Sequence, residues 1–228
     1  MGYIYEDDFA VDTGTWLTGE GADGEALIDD GHLIFKMNAS RAFVLSGTAG
    51  DFGDFKARIT SHPQTDAAGY EYGIIFREED SDNFYMVSIS SDGKYAWRKV
   101  AKDQWSTLIS WTRSNAVGAD ENDLWLVCVG NEINLHVNDT LLFARKDSSF
   151  AHGGLSLYAS TNYAPNAEVW FSYLSCTKPR KMTWSRYLPP LPLPPPRLPR
   201  STPERICCTL TWSRRAKSTA RSTVGITP

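Results

Sequence analysis

Residues 70–78 read YEYGIIFRE and residues 83–90 read NFYMVSIS, and these two segments decide the fold. Apolar side chains recur along both with a period of two, which is the pattern of β-strands, and the short acidic connection between them is typical of a hairpin. The same alternation extends from Ala26 to Cys176, interrupted by Gly, Asn, Asp and Ser. No segment has the 3.6-residue period of a helix. The sequence therefore predicts an all-β chain.

Twelve strands follow from this alternation. Turn sequences such as Asp92-Gly93, Gly130-Asn131 and Asn138-Asp139 connect several of them, and these residue types accept the positive φ angles of two-residue hairpin turns. One flat sheet of twelve strands would leave apolar faces and edges in water, so we expect a two-sheet antiparallel β-sandwich. The predicted strands are Leu33–Met37, Ala42–Leu45, Phe55–Ser61, Tyr70–Glu78, Asn83–Ser90, Lys94–Val100, Trp105–Trp111, Asp123–Val129, Glu132–Val137, Leu141–Lys146, Gly154–Ala159 and Glu168–Leu174.

Composition divides the chain of 228 residues near residue 178. Residues 1–177 hold 12 Lys+Arg and 26 Asp+Glu, a net charge of −14, whereas residues 178–228 hold 11 and 1, a net charge of +10, with 10 of the 12 prolines. An acidic body repels nucleic-acid phosphate, so no nucleic-acid partner is expected. We expect a sandwich domain at 3–177 and a disordered basic, Pro-rich tail at 178–228, whose composition buries too little apolar surface to fold.

Membrane and disulfide signals are weak in this sequence. No run reaches the roughly 18 apolar residues of a membrane helix, and the first residues lack the pattern of a signal peptide. Cys128 and Cys176 lie in apolar strand patterns, Cys207 and Cys208 are adjacent, and no C-x-x-C pair exists for zinc. We therefore expect buried thiols rather than a disulfide scaffold.

Both faces of the two deciding strands carry apolar side chains. The face predicted to point into the core comprises Tyr72, Ile74, Phe76, Tyr85, Val87 and Ile89. The outer face comprises Gly73, Ile75, Arg77, Phe84, Met86 and Ser88. Because a solvated sheet face should be polar, this outer face is either covered by loops or used as a binding surface.

Several short motifs follow one another in a recognisable order. They are Asp7-Asp8-Phe9, YGIIFR at 72–77, DNFY at 82–85, DGKY at 92–95, Trp105 and Trp111, HVN at 136–138 and GGL at 153–155. This order, over about residues 5–176, resembles the concanavalin A-like lectin/glucanase superfamily, most of all its laminin G-like and 3-keto-disaccharide hydrolase-type domains. The resemblance implies a jelly roll with a concave front sheet. It also implies an extracellular or cell-surface part of a longer protein that binds glycans or packs against other modules.

The resemblance also raises the question of a structural calcium ion. The closing strand of such domains often carries an Asp that helps to hold calcium, but residues 169–174 read VWFSYL, and Ser172 cannot supply a carboxylate. Asp7 and Asp8 remain as candidate ligands near the start of the domain. A structural calcium is thus the only candidate cofactor.

Glycoside cleavage normally requires two carboxylates about 5 to 10 Å apart. Glucanase-type relatives carry them on one strand as Glu-x-Asp-x-x-Glu or Glu-x-Asp-x-Glu, and this chain has neither run. The acidic cluster at 78–82 falls in a predicted hairpin connection, which is either a solvated loop or a loop calcium site. The four histidines have no second ligand at metal spacing. No catalytic residue is assigned, although a hydrolase assembled from distant residues stays open.

Aromatic side chains are the better indication of function, since sugars stack on aromatic rings and arginines beside them bind hydroxyls. The aromatic candidates are Tyr95, Trp97, Trp105, Trp111, Trp125, Tyr158 and Trp170. The preferred cradle, chosen by face, is Arg77 with Phe84, Met86, Ser88 and Arg98, and the aromatic residue Trp97 completes the predicted ligand-binding set.

Three functions are compatible with this sequence. We favour a non-catalytic carbohydrate-binding or interaction module whose partner is a glycan or polysaccharide. The alternatives are a glycoside-cleaving enzyme of the 3-keto-disaccharide hydrolase type and a structural spacer. A convergent carboxylate pair or a His/carboxylate cluster on the front sheet would favour the enzyme. An aromatic shelf without one would favour the binding module, and a flat, loop-covered sheet would favour the spacer.

Overall fold

The computed structural model describes residues 3–48, 50–65, 69–162 and 166–179. These residues form fifteen β-strands and no helix. All twelve predicted strands are present, and their ends differ from the prediction by at most three residues. The strands are β1 (Tyr3–Asp7), β2 (Gly19–Glu20), β3 (Gly24–Asp29), β4 (His32–Met37), β5 (Phe43–Thr48), β6 (Phe55–Pro63), β7 (Tyr70–Asp80), β8 (Asn83–Ser90), β9 (Lys94–Ala101), β10 (Gln104–Arg113), β11 (Asn122–Val129), β12 (Glu132–Val137), β13 (Thr140–Lys146), β14 (Gly154–Thr161) and β15 (Ala167–Thr177).

The strands form two antiparallel sheets that enclose one core, which confirms the predicted sandwich. The nine-stranded sheet has the order β13-β12-β11-β6-β15-β4-β3-β2, and β1 also pairs with β15. The six-stranded sheet has the order β10-β9-β8-β7-β14-β5. Neighbours such as β6 with β15 and β7 with β14 come from distant parts of the chain, as in a jelly roll.

The three strands that the sequence did not predict lie near the N-terminus. β2 has only two residues, and β3 alternates over one short segment beside β4, so the local pattern is weak. β1 exists because residues 3–7 pair with β15 at the other end of the domain. Pairing between the two ends of a domain is a long-range contact, and the local period of a sequence cannot indicate it.

The core lies between the sheets and follows the predicted alternation. All six side chains that were predicted to point inward from β7 and β8 belong to it, and each is at most 1% exposed. The nine-stranded sheet contributes its own alternate residues, including Leu33, Phe35, Ala57, Ile59, Leu124, Leu126, Val169 and Phe171. A second, smaller apolar cluster lies on the other side of the six-stranded sheet. Both faces of the deciding strands are therefore apolar, as predicted.

The two described cysteines are free and buried, as predicted. Burial raises the pKa of Cys128 far above the ordinary value of a thiol and raises the pKa of Cys176 to about 12. Both thiols therefore stay protonated and pack as small apolar groups.

Two expectations of the sequence concern other parts of the chain. The described residues contain no helix that is long and apolar enough to cross a bilayer. The predicted disordered tail lies almost wholly outside the described residues, which end at residue 179, and stays a prediction.

Candidate functional site

The candidate site is the front face, defined as the side of the six-stranded sheet that points away from the core. Strand register aligns its side chains in rows that run across the sheet. One row is Leu45, Tyr158, Gly73, Ser88 and Ala96. The adjacent row is Gly47, Ser156, Ile75, Met86, Arg98 and Thr107.

A buried polar network occupies the middle of the front face. The Arg98 guanidinium forms an ion pair with Glu71 through Nη2, and the same nitrogen donates a hydrogen bond to Ser88 Oγ at 2.6 Å. The Tyr158 hydroxyl donates to the same Ser88 oxygen at 2.5 Å. The Glu71 and Arg98 side chains are only 9% and 21% exposed, so their charges attract one another across a partly dehydrated space. The network thus fixes these four side chains in place.

Burial and the nearby charge of Glu71 raise the pKa of Tyr158 well above its ordinary value. The phenol therefore stays protonated at any physiological pH and acts as a hydrogen-bond donor in the network. It is not placed to serve as a base.

Aromatic rings lie beside this network on β10. The Trp111 ring covers the Arg98 guanidinium, whose Cζ atom is 5.3 Å from the ring centroid. The Trp105 ring meets Phe84 edge-to-face with centroids 6.0 Å apart. Trp105 is 59% exposed and Trp111 is 41% exposed, which is unusual for the largest side chain. These two indoles form an open aromatic shelf.

Outside the shelf, the front face is filled by side chains that pack against one another. The second apolar cluster comprises Ile75, Phe84, Met86, Val100 and Tyr158, all of them buried. Phe43 on β5 stacks on Tyr158 with a centroid separation of 5.5 Å and is itself 41% exposed. A ligand would therefore lie on top of the shelf and of Arg98 rather than enter a deep pocket.

Four of the six predicted ligand-binding residues lie on this face and come together there. They are Phe84, Met86, Ser88 and Arg98. Arg98 is in direct contact with the shelf and Phe84 packs under it, whereas Met86 and Ser88 are buried. Their role in ligand binding stays a prediction.

The placement of Arg77 on the front face is wrong. Arg77 is the extra residue of a β-bulge, because Leu155 pairs with Phe76 whereas Gly154 pairs with Glu78, and its φ angle is 48°. The bulge reverses the alternation, so the side chain turns inward at one end of the sandwich and is 1% exposed. Its guanidinium donates to three backbone carbonyl oxygens, those of Phe150 at 3.0 Å, Gly130 at 2.8 Å and Gly53 at 3.4 Å.

Trp97, the sixth residue of the predicted ligand-binding set, does not lie on the front face. Trp97 and Arg98 are consecutive residues of β9, and consecutive side chains of a strand point to opposite faces. Trp97 therefore points into the main core, where it is 2% exposed and stacks on Phe143 with centroids 5.2 Å apart. Only Arg98 of this pair can meet a ligand on the front face.

Asp7 and Asp8, the candidate calcium ligands, are engaged by protein donors. One Asp7 oxygen accepts from the Phe9 amide at 2.8 Å, and the other accepts from the Tyr5 hydroxyl and the Trp16 indole at 2.9 and 3.0 Å. Asp8 accepts from the Ala10 amide at 3.1 Å. Among the described residues no group of three or more His, Cys, Asp and Glu is arranged to hold a metal ion, and the calcium role stays a prediction.

Solved structures match this chain in fold, whereas no sequence match was found. No protein-family model and no curated protein matches this chain. The carbohydrate-binding module CBM66 from Bacillus subtilis superimposes with a TM-score of 0.53 and 14% identity, over 72% of this chain and 96% of the module. A β-glucanase from Bacillus licheniformis gives 0.61 and 10%, over 78% of this chain and 99% of the enzyme. A Bacillus subtilis protein of unknown function with a galectin-like fold gives 0.58 and 11%, over 78% and 96%.

The chain has the concanavalin A-like fold. The resemblance noted in the motifs is thereby confirmed at the level of architecture, and the low identities carry no more than that. Within a concanavalin A-like sandwich, any functional difference resides in the side chains of the two sheet faces and the loops.

Two depressions lie at the margins of the front sheet of this concanavalin A-like domain. One, of about 380 Å³, lies beside β5 and is lined by residues 17–24, 26 and 43–45. The other, of about 510 Å³, is lined by residues 50, 51, 78, 79 and 152–154. In the second, His152 Nδ1 lies 2.7 Å from an Asp51 oxygen, and both side chains are largely exposed. Neither depression reaches the aromatic shelf.

Sequence reasoning named the two shelf tryptophans and Tyr158 only among seven aromatic candidates, and it missed Glu71. Glu71 shares its face with Gly73 and Ile75, so the period of two was sufficient to place it there. Nothing in the sequence indicated that Arg98, two strands away, would be its partner. That contact depends on the lateral order of β7, β8 and β9.

Proposed function

We propose that the front face binds a glycan without cleaving it. The single observation that carries the proposal is the pair of half-exposed indoles, Trp105 and Trp111, beside a fixed guanidinium and carboxylate. The C–H face of a sugar ring packs well on an indole, and a rigid polar group at its edge can bond the hydroxyls.

The shape of the shelf supports an extended ligand. Trp111 lies six positions after Trp105 on β10, which corresponds to roughly 20 Å at most along a strand. The surface between them is open and shallow, since the cluster beneath it is closed. A chain of several sugar units fits such a platform better than a single sugar does.

The carboxylates of the front face argue against hydrolysis. On the described strands of the six-stranded sheet the acidic residues are Glu71, Glu78, Glu79 and Asp80, all on β7, and the last three lie at its end, seven or more residues, or roughly 20 Å, from Glu71. A glycosidase pair must be about 5 to 10 Å apart. In addition, Glu71 is held by Arg98, and Glu78 accepts a hydrogen bond from Ser156 at 2.8 Å. On the described strands Glu71 therefore has no second carboxylate at glycosidase distance, which supports binding over cleavage beside the shelf.

The solved structures with the same fold are consistent with a sugar ligand. One is a carbohydrate-binding module and another is a β-glucanase. Both kinds of protein act on sugars, so the fold alone does not separate binding from cleavage. The arrangement of the side chains on this chain's front face is what favours binding.

A glycan array followed by titration calorimetry on the best ligand tests the proposal. Trp111→Ala and Trp105→Ala should each weaken binding about tenfold or more, because exposed aromatic anchors dominate such contacts. Trp125→Ala is the matched control, since Trp125 lies on the other sheet with Lys56 Nζ 3.8 Å above its ring. Equal affinity for all four proteins, or product released from the bound glycan, would contradict the proposal.

A further inference from the structure

The charges at the centre of the front face cancel each other. Arg98 is the one charged residue of the two side-chain rows described above, and Glu71, in the next row, forms an ion pair with it. Ser88 completes the contact by accepting a hydrogen bond from the same guanidinium at 2.6 Å. The middle of this surface therefore offers a ligand polar atoms but no net charge.

The strand that carries the aromatic shelf is also uncharged. Residues 104–112 read QWSTLISWT, and their polar side chains are one amide and several hydroxyl groups, apart from the indole N–H groups. Between Trp105 and Trp111 a ligand therefore meets no cation of β10. Such side chains form hydrogen bonds with sugar hydroxyls but supply no opposite charge to an anionic group.

Carboxylates surround the end of the shelf where β10 begins. The end of β7 and the turn after it carry Glu79, Asp80 and Asp82. The turn between β9 and β10 carries Lys102 and Asp103, and the Asp103 amide donates to the Asp82 carbonyl oxygen at 3.3 Å, so the two turns are in contact. Four exposed carboxylates thus lie beside one exposed ammonium group. This end of the shelf repels an anionic glycan.

The cations at the other end of the shelf are largely compensated. Lys94 forms an ion pair with Asp92, in the turn before β9. Arg113, at the end of β10, lies opposite Lys94 in the sheet. Hydrogen bonds from Lys94 and Ser90 hold the pKa of Asp92 below its ordinary value, and the charge of Arg113 adds to their effect. One cation in excess here does not offset the carboxylates at the other end, or the net charge of −14 on residues 1–177.

We propose that the ligand of the front face is a neutral polysaccharide, and that this surface excludes glycans with carboxylate or sulfate groups. The inference rests on the proposed glycan binding and adds the chemical class of the ligand. A hydroxyl group both donates and accepts hydrogen bonds, so it can bond the guanidinium and the carboxylate of the central ion pair together. An anionic group can bond only the guanidinium, and the Glu71 carboxylate beside it repels the anion.

Two derivatives of one glycan test the proposal. The best neutral ligand of the glycan array is converted to a hydroxyethyl ether and to a carboxymethyl ether at the same low degree of substitution, so the two probes differ mainly in charge. The full chain should bind the carboxymethyl form about tenfold more weakly than the hydroxyethyl form in about 50 mM salt, and the difference should shrink in about 0.5 M salt because salt screens the repulsion.

The outcomes of this titration separate the two proposals. Equal affinity for the two derivatives, tighter binding of the carboxymethyl form, or an array whose strongest ligands are acidic would overturn the inference and leave glycan binding intact. Absence of binding to any glycan would contradict both.

Glu71→Gln identifies the source of the discrimination. The substitution removes one negative charge, keeps the size of the side chain and leaves Arg98 uncompensated. The affinity for the carboxymethyl form relative to the hydroxyethyl form should therefore rise about tenfold. Glu132→Gln is the matched control, because Glu132 forms an ion pair with Lys146 on the other sheet at 2.9 Å. In that variant the affinity ratio should equal the wild-type ratio.

Glu79→Gln keeps the proposal testable if thermal unfolding shows that Glu71→Gln does not fold. Glu79 is exposed at the end of β7, and loss of its charge should raise the same affinity ratio about twofold. An unchanged ratio in Glu71→Gln and Glu79→Gln, or an equal rise in Glu132→Gln, would overturn the proposal.

Discussion

The Tyr158 hydroxyl lies 2.5 Å from Ser88 Oγ, although a whole strand separates β14 from β8. Register explains how this contact forms. Tyr158 pairs with Gly73, and Gly73 pairs with Ser88, so the tyrosine side chain crosses β7 at the glycine. A glycine at this point leaves the front face of β7 open for the ring.

Gly73→Ala should therefore destabilise the protein strongly. A Cβ atom at Gly73 would lie 2.1 Å from the carbonyl oxygen of Val87, and backbone cannot move aside as a flexible side chain can. We expect a loss of about 3 kcal/mol in the free energy of unfolding, measured by urea titration. Gly21→Ala is the matched control, because its nearest neighbour is 3.8 Å away. Equal stability of the two variants would show that the sheet adapts to the added methyl group.

Arg77→Lys should destabilise the sandwich without changing its affinity for a glycan. The guanidinium joins three loop carbonyls at once, whereas a single ammonium group cannot reproduce this fork. We expect a loss of about 3 kcal/mol in urea titration, typical of a buried charge that loses hydrogen bonds. Arg145→Lys, at an exposed arginine, should change stability by less than about 0.5 kcal/mol. A loss of glycan affinity in the folded Arg77→Lys protein would return Arg77 to the binding site.

Asp147 should make the stability of the domain depend on acid pH. Its two oxygens accept from the Tyr85 hydroxyl at 2.5 Å and from Lys99 Nζ at 2.8 Å, and the Ser149 amide adds a third donor at 2.9 Å. Burial alone would raise the pKa of Asp147, but the hydrogen bonds of Lys99, Ser149 and Tyr85 outweigh it and hold the pKa well below its ordinary value. These contacts attach the connection between β13 and β14 to the front sheet.

The sign of the pH effect follows from that lowered pKa. The folded state favours the carboxylate, so its contribution is complete above the unfolded pKa of about 3.9 and is lost as the pH falls below it. At pH 7 Asp147→Asn should cost about 2 kcal/mol in urea titration. The difference from the wild type should shrink between about pH 4 and pH 2. Asp120→Asn, at an exposed site, is the control, and a difference that persists at low pH would count against this role.

The positions of the strands and the composition of their faces were accessible from the sequence, because a period of two is a local property. The alternation of Tyr72, Ile74 and Phe76 correctly assigned the core side of β7. The same rule failed one residue later at Arg77, since a bulge adds a residue and reverses the alternation. The bulge depends on pairing with β14, which begins far along the chain.

The candidate site shows the same difference between what a local pattern predicts and what long-range pairing decides. Face logic placed Phe84, Met86 and Ser88 together, and it was sufficient to exclude Trp97 once Arg98 was assigned to the front face. It gave no information about Glu71 with Arg98, or about which tryptophans stay exposed. Trp105 and Trp97 look alike in sequence, yet one lies on a sheet edge and the other lies in the core.

The sequence by itself determined the all-β class, the strand positions and the two apolar faces, because each depends on residues that are neighbours along the chain. Only the tertiary structure decided which side chains meet on the front face. Ser88 and Tyr158 are 70 residues apart, and they meet because antiparallel pairing brings β8, β7 and β14 side by side. The physical reason is that lateral order and register are properties of the whole sheet, set by the core that both sheets share.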